Sequence, residues 1–256
     1  MRGTERTLLV LRTLNQRNGS SVAEIAAATR ISRQAIYRIF ESLVADGYVR
    51  RRENPERYDL TALVRSLSEG YKEEDWMLQV ASPVLERLQQ QVVWPTDLAV
   101  FQDNAMYLRE TTRRRSPMTI DGITVGTRLP MLLTATGKAY LAYCPAGERD
   151  LILSNLRASS APEDAQAKQP RIINGVLAFT RRQGYGERRN EFVAKTSAIA
   201  VPLMLDERVI ACLNITFIAS VMTPKEAASR YLKLMKAAAA EISSAAQTTK
   251  LAGSTG

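Results

Sequence analysis

The chain has 256 residues, 45% of them hydrophobic and 24% charged, and its 35 Lys plus Arg against 26 Asp plus Glu leave a net charge of +9. That is ordinary globular composition, long enough for one large domain or two modest ones. With no apolar run of about 18 residues to span a membrane and no apolar leader, a cytoplasmic location is expected. Histidine is absent, and Cys144 and Cys212 are the only cysteines. This excludes Ser-His-Asp and Cys-His catalysis and leaves no structural zinc spacing; there is no phosphate-binding glycine loop either, so no catalytic residue, metal or cofactor is nominated.

Taken in chain order, an amphipathic helix over 4–17 comes first, with Leu8, Leu11 and Leu14 expected inward. Ser21-Val22-Ala23-Glu24 has the form of a capping box, in which hydroxyl and carboxylate satisfy free N–H groups at a helix start. A short helix follows, with Val22, Ile25 and Ala26 on one face, and Thr29-Arg30-Ile31-Ser32 breaks it. The next helix starts near Ser32 and turns Ile36, Ile39, Phe40 and Leu43 inward at helical spacing. Its outer face near the start carries Ser32, Arg33, Gln34, Tyr37 and Arg38, and Asp46-Gly47 ends it with a glycine suited to the left-handed position. Tyr48-Val49-Arg50-Arg51-Arg52 and Arg57-Tyr58-Asp59-Leu60 then flank an Asn54-Pro55 turn signal, which predicts a hairpin.

Three helices and an arginine-rich hairpin are the parts of a winged helix-turn-helix. A helix entering the major groove presents its N-terminal residues to base edges, where Arg pairs with guanine and Gln with adenine at two points. Arg33, Gln34 and Arg38 are the candidates for reading sequence, Ser32 and Tyr37 for phosphate or base contact, and Arg50, Arg51 and Arg52 for phosphate. The alternative for the helix face is plain solvation. Charge favours contact with DNA: Met1 to Arg65 holds twelve Arg, no Lys and seven acidic residues, a net +5.

After a break at Leu67-Ser68-Glu69-Gly70, a helix from Glu73 to about Gln91 (Trp76, Val80, Val84, Leu85, Leu88) reads as a linker that forms a dimer interface or covers the following domain. Strands are predicted over 97–102 and 105–111, turning at Asp103-Asn104, and over 197–205 and 209–217, turning at Asp206-Glu207. Helices over 137–143, 148–156 and 172–183 lie between the pairs, and 159–169 reads as a mobile loop. Thr223-Pro224-Lys225-Glu226 opens a last helix toward Ser244. Hairpin-linked strands with interspersed helices argue α+β with an antiparallel sheet. The predicted organisation is a DNA-binding domain over 1–66, a linker helix over 67–93, an effector domain over 94–246 and a disordered tail over 247–256.

Gly126-x-x-Leu129-Pro130-x3-Thr134-Ala135-Thr136-Gly137-Lys138-Ala139-x-Leu141-Ala142, and Gly184-Tyr185-Gly186 followed by Ala198-Ile199-Ala200-Val201-Pro202, resemble two ordered motifs of IclR-type bacterial regulators. Val93-Trp94-Pro95-Thr96-Asp97, Arg109-Glu110-Thr111-Thr112 and Ile210-Ala211-Cys212-Leu213-Asn214 look closer still to the branch that activates 3-hydroxyphenylpropionate catabolism. The resemblance spans essentially the full chain. It implies a GAF-like effector domain, a homodimer or tetramer on operator DNA, and a small organic acid, aromatic or related, as effector. Position by position it implies a pocket from Ala135 and Thr136 at a helix start, Arg188, Ala198 on one strand and Asn214 and Thr216 on the next, with Met118 and Leu129 as apolar walls. Ala198 stands where many members have Cys. Arg109 and Arg188 are the cations that could pair with a carboxylate, surface charge being their alternative role. The rival reading is an enzyme acting on a small acid, with an accessory DNA-binding domain.

Overall fold

The computed structural model describes residues 2–53, 56–68, 76–118 and 122–253, with backbone alone for 68, 76–78 and 249–253. The chain forms two compact units, Met1–Lys72 and Glu73–Gly256.

The first unit holds α1 (Gly3–Gln16), α2 (Val22–Thr29) and α3 (Arg33–Ala45), then a two-stranded antiparallel hairpin of β1 (Val49–Arg52) and β2 (Arg57–Leu60), and a short 3-10 helix (Ala62–Ser68). The Ser21–Glu24 capping box forms as the sequence predicts: Ser21 N–H donates to Glu24 at 2.7 Å, and Glu24 N–H to Ser21 Oγ at 3.3 Å. Arg30 ends α2 in the left-handed region at φ 57°, which turns the chain sharply enough for Ser32 to cap α3. The core is Val10, Leu14, Val22, Ile25, Ile31, Ile36, Phe40, Leu43, Val49 and Tyr58. Phe40 stacks on Tyr58 with ring centroids 4.0 Å apart, which ties the hairpin to α3. One expectation fails here. Leu8 is 48% exposed, and Val10 and Thr13 bury beside Leu14 instead. Leu8 lies six residues from Leu14, about 120° round the helix, whereas Val10 lies one turn away. The Asn54-Pro55 turn and the Glu69-Gly70 break lie outside the described residues.

The second unit opens with α4 (Trp76–Val92) and then forms β3 (Thr96–Gln102), β4 (Ala105–Thr111), β5 (Arg128–Pro130), α5 (Ala135–Tyr143), α6 (Ala146–Ala158), a 3-10 helix (Pro162–Lys168), α7 (Pro170–Gln183), β6 (Gly186–Arg189), β7 (Thr196–Leu205), β8 (Arg208–Ile218) and α8 (Pro224–Gly253). The six strands make one antiparallel sheet in the order β5-β4-β3-β8-β7-β6. The predicted tight turns hold: Asp103 and Asn104, like Asp206 and Glu207, all have positive φ, the conformation two-residue hairpin turns demand.

Strand alternation sends large and small side chains to opposite faces of this sheet. Leu98, Ile199, Val201, Leu213, Ile215 and Phe217 pack against α4 and α8. Ala99, Ala198, Ala200 and Cys212 face α5, α6 and α7. α5 consequently sits very low on its face. A Cβ added to Gly186 would lie 2.3 Å from the Ala135 carbonyl oxygen, and one added to Gly137 would lie 2.2 Å from that of Met131.

Three further expectations are corrected. The predicted linker helix is part of this unit: Ala81, Val84, Leu85, Leu88 and Val92 of α4 lie in its core. The stretch 159–169, expected as a mobile loop, contains a 3-10 helix (Pro162–Lys168) with Asp164 and Ala167 buried. Helix α8 runs past Gln247 to Gly253, where a disordered tail was expected, because its Ala- and Lys-containing sequence sustains a helix.

Candidate functional site

Two places gather the residues singled out in the sequence. On the first unit, Ser32, Arg33, Gln34, Tyr37 and Arg38 are all exposed along the start of α3. Ser32 is committed as the cap, its Oγ accepting from Ala35 N–H at 3.4 Å. The others are held out to solvent by the burial of Ile36 and Phe40 on the opposite face.

The hairpin arginines are also exposed, but acids on the hairpin already engage them. Arg52 Nη2 donates to Asp59 Oδ1 at 3.0 Å, and its Nε lies 2.8 Å from Oδ2 of that 6%-exposed residue. Arg51 Nη2 pairs with Glu56 at 3.0 Å, and Arg50 Nε lies 3.5 Å from Asp59. Burial and the hydrogen bond to Glu56 push the Tyr58 hydroxyl up to about 12. The exposed Arg51–Glu56 pair is worth at most about 1 kcal/mol. Arg52 also braces the hairpin. Sequence reading missed Arg57, which donates to Gly19 O at 2.6 Å and to Glu24 at 3.2 Å and so ties the hairpin to α2.

The second place is a narrow cleft on the small-residue face of the sheet, with a cavity volume of about 30 Å³. Leu129, Ala135, Thr136, Arg188, Ala198, Asn214 and Thr216 all line it. Sheet register explains the convergence: Arg188 pairs with Ala198, Ala198 with Thr216, and Asn214 with Asp97. Helix α5 begins at this cavity. Thr134 caps it, Gly137 N–H donating to Thr134 Oγ1 at 3.2 Å. The N–H groups of Ala135 and Thr136 meet no acceptor among the described residues, and such helix-start donors suit an anion. Arg188 is 4% exposed; its Nη1 donates to Thr196 O at 2.9 Å and its Nη2 to Thr196 Oγ1 at 2.9 Å, which fixes the guanidinium.

Arg109 and Met118 are not among the lining side chains. Arg109 lies at the bulge of the β3–β4 pairing and reaches Gln102 Oε1 at 3.3 Å, and Met118 is 43% exposed. The cavity instead brings in Asp97, Arg113 and Phe192, which sequence reading missed. Arg113 Nη2 lies 2.8 Å from Asp97 Oδ2, both residues almost fully buried. Phe192 comes from the β6–β7 connection, which Lys138 of α5 anchors by donating to Glu187 O at 3.0 Å and Glu191 Oε1 at 2.8 Å. Burial alone would raise the Glu191 carboxyl, but the hydrogen bond and charge of Lys138, together with backbone N–H donors, hold the group below the usual carboxylate range. Burial pushes the Cys144 thiol up to about 11 and that of Cys212 higher still, which makes poor nucleophiles of both. Among the described residues no helix is long and apolar enough to cross a membrane, and no cluster of acids and cysteines could hold a metal.

Comparison with known proteins identifies the family of each unit. Residues 72–244 match the family described as Bacterial transcriptional regulator IclR C-terminal, and residues 4–57 match the MarR family. The probable transcriptional regulator SauR of Cupriavidus necator is 27% identical over 203 residues, 78% of this chain and 79% of SauR. The Pca regulon regulatory protein of Pseudomonas putida is 24% identical over 251 residues, 94% of this chain and 83% of that protein. The fold matches the crystal structure of an IclR homolog complexed with 4-hydroxybenzoate from Microbacterium hydrocarbonoxydans, with TM-score 0.61 and 23% identity over 96% of this chain and all of that one (100%). These relatives do not single out the 3-hydroxyphenylpropionate branch. The chain belongs to the IclR family of bacterial transcriptional regulators, and it is a regulator, not an enzyme.

Proposed function

We propose that this IclR-family regulator senses a small organic acid, aromatic or related, in the cavity beneath α5, and that occupancy alters its hold on operator DNA ahead of catabolic genes. The observation that carries the reading is convergence. Seven residues scattered between Leu129 and Thr216, which the family resemblance implies for a pocket, line one cavity with a helix start and two guanidinium groups. A carboxylate suits both helix-start N–H groups and Arg. The 4-hydroxybenzoate complex of a protein with this fold and the Pca regulon protein among the relatives support an aromatic acid. Resemblance to the 3-hydroxyphenylpropionate branch makes that acid one member of the panel to try.

At the other end, Arg33, Gln34 and Arg38 read bases and Arg50 and Arg51 hold phosphates. Two copies in a homodimer, or in a dimer of dimers, place two α3 helices on two half-sites of cytoplasmic DNA. An effector shifts such an equilibrium only by binding the DNA-competent state and the other state unequally.

Melting the full chain against a panel of aromatic acids tests the sensor. A ligand at about 100 times its Kd adds about 2.7 kcal/mol to stability. Thr136→Leu, at a residue 2% exposed on the cavity wall, is expected to abolish the shift without unfolding the protein. A full response in that variant moves the pocket elsewhere. Titrating random against near-palindromic duplexes tests the reading head, with a preference of about a thousandfold or more expected.

A further inference from the structure

The polar side chains at the β3–β8 end of the cavity have a fixed hydrogen-bonding sense, and this narrows the ligand class. That narrowing rests on the cavity being the effector site. Asp97 is 1% exposed, and a carboxylate only accepts. Its Oδ2 accepts from Arg113 Nη2 at 2.8 Å and from Asn214 Nδ2 at 3.0 Å, and its Oδ1 accepts from Thr111 Oγ1 at 2.6 Å. Asn214 must therefore turn its NH2 group toward Asp97. The same nitrogen donates to Thr216 Oγ1 at 3.1 Å, so both amide hydrogens are committed.

What remains on Asn214 is Oδ1, an acceptor with no partner among the described residues. It is not one of the sealed side-chain atoms that lack a partner, so it borders open space, and the open space beside Asn214 is the cavity. Thr216 Oγ1 receives hydrogens from Asn214 and, at 3.2 Å, from Arg113 Nη2. Its own hydrogen is thereby left to donate, and no acceptor takes it among the described residues.

A fixed acceptor beside an available donor complements a group that both donates and accepts. A hydroxyl does both; a carboxylate only accepts, and an aromatic C–H edge does neither. We propose that Asn214 Oδ1 and Thr216 Oγ1 read a hydroxyl group on the effector, and that Asp97 and Arg113 are positioning residues that hold that pair in its sense. The ligand class is a hydroxylated organic acid that lies across the sheet. Its carboxylate takes the α5 start and Arg188, and its hydroxyl takes the β8 end. The register Arg188–Ala198–Thr216 sets these ends two strands apart, about 10 Å between Cα atoms. Ala198 leaves the floor between them flat.

Calorimetric titration of the full chain with two matched pairs tests this: benzoate against 4-hydroxybenzoate, and 3-phenylpropionate against 3-(3-hydroxyphenyl)propionate. In at least one pair the hydroxylated acid is expected to bind about tenfold or more tighter, since a site built to bond a hydroxyl rejects the analogue that lacks one. Asn214→Leu and, independently, Thr216→Val are expected to bring the ratio within about twofold by weakening the hydroxylated acid alone. Asp97→Asn frees the Asn214 amide to rotate and should lower the ratio by weakening the hydroxylated acid more than its partner. A purely structural Asp97 would weaken both acids together. Melting curves check each fold, and if Asn214→Leu does not fold, Thr216→Val decides. Equal affinities within both wild-type pairs, or a ratio that survives Asn214→Leu and Thr216→Val, overturns the hydroxyl end and leaves the cavity reading standing. No heat and no melting shift with any of the four acids overturns both.

Discussion

The two units use arginine in opposite ways. In the first unit, Arg33 and Arg38 stand exposed on α3, and Arg51 meets its acid with 57% of its side chain exposed. In the second, Arg113 and Arg188 are 6% and 4% exposed and fixed by neighbours on the sheet. An exposed guanidinium is free to exchange water for phosphate or guanine, and its attraction is screened by salt. A buried one cannot wander, and its value lies in the geometry it imposes. The first arrangement suits a long charged polymer met in solution, and the second a small molecule held from all sides.

Breaking each kind of arginine should give effects of different size and kind. Arg113→Ala strips Asp97 of the guanidinium paired with it, and removing one partner of a buried pair costs about 3–5 kcal/mol. A large fall in melting temperature is expected, and a melt within a degree of wild type would put that pair on the same footing as the surface ones. Arg33→Ala should leave the melt untouched yet cost about 1–3 kcal/mol of preference for the correct duplex over one changed at a single base pair. Competition titrations read this, and an unchanged preference removes Arg33 from base reading. Arg51→Ala should weaken every duplex alike by about 1 kcal/mol or less and lower the salt slope of binding by about one. A sequence-selective loss there would mean that the hairpin reads bases. The smallest signal sharpens the interior side of the contrast. With Cys144 raised to about 11 and Cys212 raised further by burial, iodoacetamide at pH 8 is expected to label neither thiol until the chain is unfolded. Rapid native labelling, followed by mass spectrometry, would show that this interior opens readily.

The same contrast explains what the sequence revealed. The reading head is built from local signals: the Ser21–Glu24 box, the Asp46-Gly47 stop and the period of Ile36, Phe40 and Leu43 all lie within a turn or two of the structure they specify. Leu8 was misplaced because an all-apolar Leu-Leu-Val-Leu run offers several faces at once. In the sensor, the helix start and the two late strands were readable from motif resemblance. The Asp97–Arg113–Thr216 network was not, because its members meet across separations of 16 and 103 residues that only the sheet register closes. β5 and β6 escaped notice because three residues, or the polar run Gly-Glu-Arg-Arg, are too short or too charged to show alternation. Arg109 looked as good a carboxylate partner as Arg188 from composition alone. The difference is that Arg109 is the extra residue of a bulge and turns to Gln102, whereas Arg188 stands in regular register opposite Ala198.

The glycines under α5 set a limit on what the sensor can admit. Backbone meets backbone where Gly186 lies against Ala135 and where Gly137 lies against Met131, with no side chain between to compress or swing aside. The ceiling of the chamber therefore hangs at a fixed height above the strand carrying Ala198. That ceiling cannot rise to admit a thicker molecule unless the helix shifts as a whole.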